Sequence, residues 1–300
     1  MPSLRSQFFY AAMKVFFRYV VPSQGSLETY RKAARQPLFE RMPRGIIWEQ
    51  GQLNGVQGEW ITPDKITANR CLLYLHGGGY VLSTPHVHRV LVGRLARTLS
   101  CRAFMPEYRL APEHPFPAAI DDVTAAYHGI VASGYAPSQV VVAGDSAGGG
   151  LTAALLLRLR DRGEPLPAAA CLISALLDCT FSGGRLPELQ QRDPYLRLDD
   201  LSKMAKHYYT VQDPKHPLIS PLWADLNGLP PLFVLAGEND ILCDEAVQFA
   251  EHARQADVAV DLKIGLGMVH AFPLFAGFIP EGKIAIAEIG TFFEKHLPPL

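Results

Sequence analysis

The sequence predicts an α/β fold: a mostly parallel sheet flanked by helices, with a helical cap above it. Three observations predict it. From about residue 69 onward, short apolar runs alternate with longer segments of helical period, the pattern of repeated strand-helix units. One strand-to-helix junction is the sharp, glycine-rich turn Gly144-Asp145-Ser146-Ala147-Gly148. The alternation then lapses between about residues 178 and 229, in a stretch rich in Pro and turn residues that completion of a sheet does not require.

Taken in order, the apolar runs at 71–75, 103–106, 140–143, 169–173, 232–236 and 258–264 read as strands. The segments 87–99, 118–132, 147–160, 244–255 and 284–296 read as the helices between them. Two earlier extended stretches, 45–49 and 58–61, fit opening antiparallel strands of a mixed sheet. The insertion holds one helical segment, 199–209. At the N-terminus, Gln7, Ala11, Lys14 and Arg18 fall on one helical face, with Phe9, Met13, Phe16, Phe17 and Val20 mostly opposite. Lys14 and Arg18 interrupt this apolar run and no small-residue cleavage site clearly follows it, so we expect a lid or cap helix packed on the domain, with a membrane-surface helix as the alternative reading and no integral membrane segment.

Composition narrows the function classes. Hydrophobic residues make up 48% and charged residues 19% of 300, as in chains that fold around a core. With 28 basic and 29 acidic residues the net charge is −1, which gives no overall attraction to nucleic acid or to an anionic membrane. The five cysteines, Cys71, Cys101, Cys171, Cys179 and Cys243, are odd in number and widely spaced, with no CxxC pair. Neither a structural metal nor a disulfide framework is expected, which suits a cytoplasmic location.

The chemistry concentrates at strand ends. A serine between glycines, on a turn from strand to helix, is the G-x-S-x-G arrangement of an exposed nucleophile, here Ser146. A phosphate-binding turn is the competing reading, but GxxxxGK[ST] and GxGxxG are both missing at this junction. Upstream, the run CLLYL leads directly into His76-Gly77-Gly78-Gly79-Tyr80, whose glycines leave backbone N–H groups unobstructed. Gly77 and Gly78, with Ala147 next to the serine, are the candidate oxyanion-hole donors. His76 is expected to pin this loop by hydrogen bonding. A serine nucleophile needs a base and a carboxylate to orient it, in the chain order Ser, Asp or Glu, His. His270 follows the last expected strand, and Asp240 follows the one before it. Glu238 remains an alternative acid, while Asp244 and Glu245 read as first-turn helix carboxylates.

HGGGY, GDSAGG and the stretch YRLAPEHPFPAA at 108–119 together resemble the hormone-sensitive-lipase-like (family IV) bacterial esterases of the α/β-hydrolase superfamily. The resemblance runs over roughly residues 70 to 300 and includes Ser220-Pro221-Leu222, Gly228-Leu229-Pro230-Pro231 and the D-x-L-x-D-E run that begins at Asp240. It implies an eight-stranded α/β-hydrolase core, a cap built from the N-terminus and the later insertion, and a carboxylesterase acting on short-chain acyl esters without a cofactor. It also implies a homodimer formed through the last strand. The family's catalytic aspartate matches Asp240 and its histidine matches His270. Glu107 and Ile241 stand where an aspartate and a proline are common. Within the YRLAPEHPFPAA stretch, Arg109 and Glu113 are expected to form a buried pair. The implied division is 1–45 for the N-terminal cap segment, 46–180 with 225–300 for the catalytic domain, and 181–224 for the cap insertion. Phe8, Phe16, Phe17, Tyr19, Tyr208 and Tyr209 are candidate walls of the substrate cavity.

Overall fold

In the computed structural model, which describes residues 1–19, 26–34, 42–67 and 69–299, each apolar run expected as a strand becomes one. The strands are β1 (Ile46–Leu53), β2 (Val56–Pro63), β3 (Cys71–Leu75), β4 (Arg102–Pro106), β5 (Val140–Asp145), β6 (Ala169–Ile173), β7 (Leu232–Gly237) and β8 (Val260–Gly265). They form one eight-stranded sheet in the order β1-β2-β4-β3-β5-β6-β7-β8. β1 and β2 pair antiparallel, β2 runs antiparallel to β4, and all later pairings are parallel. The opening strands are longer than expected because Asn54 and Gly55, at φ 47° and 88°, make the tight turn whose two central residues need positive φ.

The helices are α1 (Leu4–Tyr19), α2 (Leu27–Ala34), α3 (Pro85–Thr98), α4 (Ala118–Ala132), α5 (Ala147–Asp161), α6 (Leu186–Arg192), α7 (Leu198–Tyr209), α8 (Cys243–Gln255) and α9 (Pro280–His296). Strand side chains alternate between two cores. Leu73, Val142 and Leu172 pack with residues of α4, α5 and α8 on one face, while Leu72, Tyr74 and Val141 pack with residues of α3 and α9 on the other. Because β3 and β5 to β8 are parallel, the loops that follow them open along one edge of the sheet, where ligand sites of such sheets lie.

Above that edge, the insertion contributes two helices rather than one. α6 is short and polar outside Leu186 and Leu189, which are buried, so its apolar period is too brief to stand out in the sequence. Tyr208 of α7 is buried and stacks on Tyr80 with ring centroids 3.8 Å apart; it is core that ties the insertion to the HGGGY loop. Phe8 and Phe16 are exposed on the surface of α1. Phe17 turns inward, its ring 5.2 Å from that of Tyr195. The Tyr19 side chain and Val20 lie outside the described residues.

The Arg109–Glu113 pair does not form. Arg109 instead binds Asp122 of α4, with Nε–Oδ2 2.9 Å and Nη2–Oδ1 2.7 Å. Glu113 lies on the surface and takes both terminal nitrogens of Arg31 from α2, at 2.6 and 2.8 Å. Asp122, one helical turn into α4, lies nearer to Arg109 than the sequence neighbour does.

Candidate functional site

Ser146 is the pivot between β5 and α5, with φ 53° and ψ −123°, a backbone shape that costs a non-glycine residue energy and persists where the surroundings impose it. Its N–H donates to Ile173 O at 2.9 Å, and its carbonyl accepts from Leu176 N at 2.9 Å. The close approach of strand and helix explains the flanking glycines: a Cβ on Gly148 would lie 2.0 Å from Leu75 O, and one on Gly144 2.3 Å from Gly148 O. Ser146 Oγ makes no hydrogen bond among the described residues.

The expected acid and base meet. His270 Nδ1 lies 3.0 Å from Asp240 Oδ1, which also accepts from Leu242 N at 2.9 Å, and both side chains are buried. Burial by itself would push the His270 imidazole down, but the charge and hydrogen bond of Asp240, helped by Asp193 and Asp145, outweigh it and hold His270 above its ordinary value. Glu238 is occupied elsewhere: its Oε2 accepts from Gly267 N at 2.7 Å and its Oε1 faces Arg192 Nη2 at 3.4 Å. Glu245 is buried, and its Oε2 accepts from Leu177 N and Asp178 N at 2.6 Å each. It stands in the first turn of α8 as expected, and from there it anchors the chain after β6.

The oxyanion loop differs from expectation at one residue. Gly77 N–H is directed at Asp145, 3.1 Å from Oδ1, so it is not free to meet a substrate. Among the described residues, the N–H groups of Gly78 and Gly79 have no acceptor, and that of Ala147 is an orphan at the first position of α5. Asp145, the variable position of the G-x-S-x-G turn, thus braces the loop. It also accepts from Tyr74 Oη at 2.8 Å and lies 3.2 Å from His88 Nε2. Burial would lower His88, but Asp145 outweighs it and raises His88 above its ordinary value. Asp145 had no sequence signal of its own, because the motif leaves that position open. His76 does pin the loop: Nδ1 is 2.7 Å from Gly77 O, and its ring stacks on Tyr108 at 4.3 Å.

A second set of residues comes from the insertion. Asp193 Oδ1 accepts from Tyr195 N and Leu196 N at 3.0 and 2.9 Å, and its Oδ2 accepts from Ile241 N at 3.0 Å. Tyr195 Oη donates to His270 O at 2.8 Å. One turn of the cap therefore holds both the Asp240 loop and the His270 loop. Burial, then the neighbouring Asp240 charge, pushes the Asp193 carboxyl up to about 6. The Asp-Pro-Tyr sequence at 193–195 signals a turn but not what that turn grips.

A family model described as alpha/beta hydrolase fold matches residues 72–274. The chain is 41% identical over 234 residues to an acetyl-hydrolase of Streptomyces hygroscopicus, covering 78% of each. It is 38% identical over 242 residues to an esterase of Acinetobacter venetianus, covering 80% of each. The crystal structure of an esterase from the bacterial hormone-sensitive lipase family superposes with a TM-score of 0.92 at 37% identity, over 99% of this chain and 100% of that one. This chain belongs to the hormone-sensitive-lipase-like esterases. It is thus a carboxylic ester hydrolase of the α/β-hydrolase superfamily. A structure of the esterase EstE5 soaked with p-nitrophenyl butyrate superposes as well, with a TM-score of 0.93 at 35% identity over 98% of this chain and 99% of that one. No described helix of this esterase is long and apolar enough to cross a membrane.

Proposed function

We propose that this esterase hydrolyses short-chain acyl esters through an acyl-enzyme formed on Ser146, with His270 as base and Asp240 as its orienting carboxylate. The observation that carries the reading is the buried His270–Asp240 pair at 3.0 Å, on loops that open at the same sheet edge as the strained Ser146 turn. His270 takes the proton of Ser146 Oγ as the oxygen attacks the ester carbonyl. The N–H groups of Gly78, Gly79 and Ala147 then receive the oxyanion, and His270 returns the proton to the departing alcohol. Water, deprotonated by His270, attacks the acyl-enzyme in a second cycle that releases the carboxylic acid and restores Ser146. Gly77 takes a bracing role in place of a donor role, because its N–H is held by Asp145.

The short-acyl preference is supported by the cap. A Cβ on Gly79 would meet Met204 Sδ of α7 at 2.6 Å, so the cap closes directly over the oxyanion turn. One similar protein is named an ethyl acetate hydrolase, from Pseudomonas putida. We take 1–45 and 181–224 as the cap and the remainder as the catalytic domain. The uncovered edge strand β8 is the place for the homodimer contact that the family implies, and five buried, unpaired thiols fit a cytoplasmic location.

Ser146→Ala is expected to abolish ester hydrolysis while leaving the circular dichroism spectrum unchanged, and activity retained within tenfold of the parent would overturn the assignment. A series of p-nitrophenyl esters from acetate to laurate is expected to peak at the short end; a peak at the long end would refute the acyl preference.

A further inference from the structure

α1 is apolar on two faces, and among the described residues one of them packs on the fold while the other is exposed. Its inner face is anchored: Met13 is buried, the Phe9 ring lies 4.9 Å from Phe275, and Tyr10 Oη donates to Arg192 O at 2.7 Å. On the outer face, Leu4, Phe8 and Val15 are 83%, 78% and 59% exposed. Their spacing puts them in one stripe along the helix, with the exposed Ala11 between them. At about 100° per residue, Arg5 falls on one flank of this stripe and Lys14 on the other, both exposed. No Asp or Glu precedes Glu28 in the sequence.

We propose that this outer face of α1 is a docking surface for an anionic lipid bilayer, lying in the plane of the headgroups with Leu4, Phe8 and Val15 turned into the acyl boundary. An apolar stripe between basic flanks is the arrangement that lets a helix lie in a membrane interface while its cations stay in the headgroup layer. The charge is decisive. The net charge of −1 sums the whole chain, but a surface acts over a screening length of about 8 Å at physiological salt; within that reach α1 itself offers cations and no carboxylate, while Glu281, which lies against its first turn, accepts from Ser3 N and from the hydroxyls of Ser3 and the buried Ser6 on the side away from the stripe. A second copy of this chain meeting stripe to stripe would bring two cationic flanks together with no carboxylate in α1 to pair them. The inner face then links the membrane to the chemistry. Phe17 packs on Tyr195, whose hydroxyl holds the His270 carbonyl, so a bilayer against α1 lies one helix thickness from the site.

The test is flotation of the full-length protein with vesicles of phosphatidylcholine alone and of phosphatidylcholine mixed with phosphatidylglycerol, alongside hydrolysis of a water-soluble acetyl ester. The parent is expected to partition at least tenfold more strongly onto the anionic vesicles. Leu4→Ser/Phe8→Ser/Val15→Ser is expected to lower that partition at least tenfold, and Arg5→Gln/Lys14→Gln on the order of tenfold, with soluble-ester hydrolysis within twofold of the parent in both. Should the apolar triple variant misfold, the Arg5→Gln/Lys14→Gln variant carries the test. Equal partition onto both vesicle types, no partition by the parent, or a dimer in sedimentation that the triple variant dissolves would each overturn the proposal.

Discussion

Asp145 is the residue whose replacement most directly probes how the oxyanion turn is held. Its carboxylate, 2% exposed, receives the Tyr74 hydroxyl, the Gly77 N–H and the edge of His88. Asp145→Ala would leave the Tyr74 hydroxyl and His88 Nε2 without their acceptor and the Gly77 N–H with only its 3.3 Å approach to His88 Nε2, and breaking a buried charged pair in this way costs about 3–5 kcal/mol. Asp145→Asn is a milder perturbation. Its amide oxygen can keep Tyr74 and Gly77, and its NH2 can donate to a neutral Nε2 of His88, since Nδ1 already faces Thr84 O at 2.9 Å. The exchange of one network for another is expected to cost about 1 kcal/mol.

Urea unfolding of the two variants, with kcat/KM for an acetyl ester, measures both consequences. Asp145→Ala is further expected to lose on the order of 100-fold in kcat, because the turn carrying Gly78 and Gly79 is no longer braced. The pH dependence adds a sign. His88 is raised above its ordinary 6.5 in the folded protein, so the stability it contributes is full below 6.5 and is lost as pH rises through the raised value. Asp145→Asn is expected to remove this alkaline fall. Equal destabilisation by Asn and Ala, or a cost below about 1 kcal/mol for Ala, would refute the argument from satisfied buried groups.

Two further outcomes follow from the same geometry. In the parent the acid limb of kcat/KM should lie above pH 6.5, because His270 is raised and must be neutral to act; Asp240→Asn should lower kcat by about 10³–10⁴ and move that limb to lower pH, and an unmoved limb would sink the pairing. His76 is held down to about 4, first by burial and then by the His88 charge. The unfolded chain therefore takes up a proton below 6.5 that the folded protein refuses until about 4, so about 3 kcal/mol of stability should be lost across that window. His76→Gln should flatten this component in acid unfolding curves, and an unchanged pH slope would argue against a neutral buried imidazole.

What the sequence determined by itself was everything carried by local pattern. Apolar runs of strand length, helical periods and the HGGG and GDSAG turns are written in consecutive residues, so the sheet, its helices and the positions of Ser146, Asp240 and His270 at strand ends were legible. Partners for polar groups were not. Arg109 chose Asp122 over Glu113, Asp145 claimed the Gly77 N–H, and Glu245 turned to the backbone at 177 and 178. Each choice depends on which element packs across the gap, and strands β3, β5 and β7 bring together loops that lie tens of residues apart. The same holds for α1: its periodicity shows that it is amphipathic, but only the packed structure decides that Phe9 and Met13 face the domain while Leu4, Phe8 and Val15 face outward. Local period fixes which residues share a face, and tertiary packing fixes what that face meets.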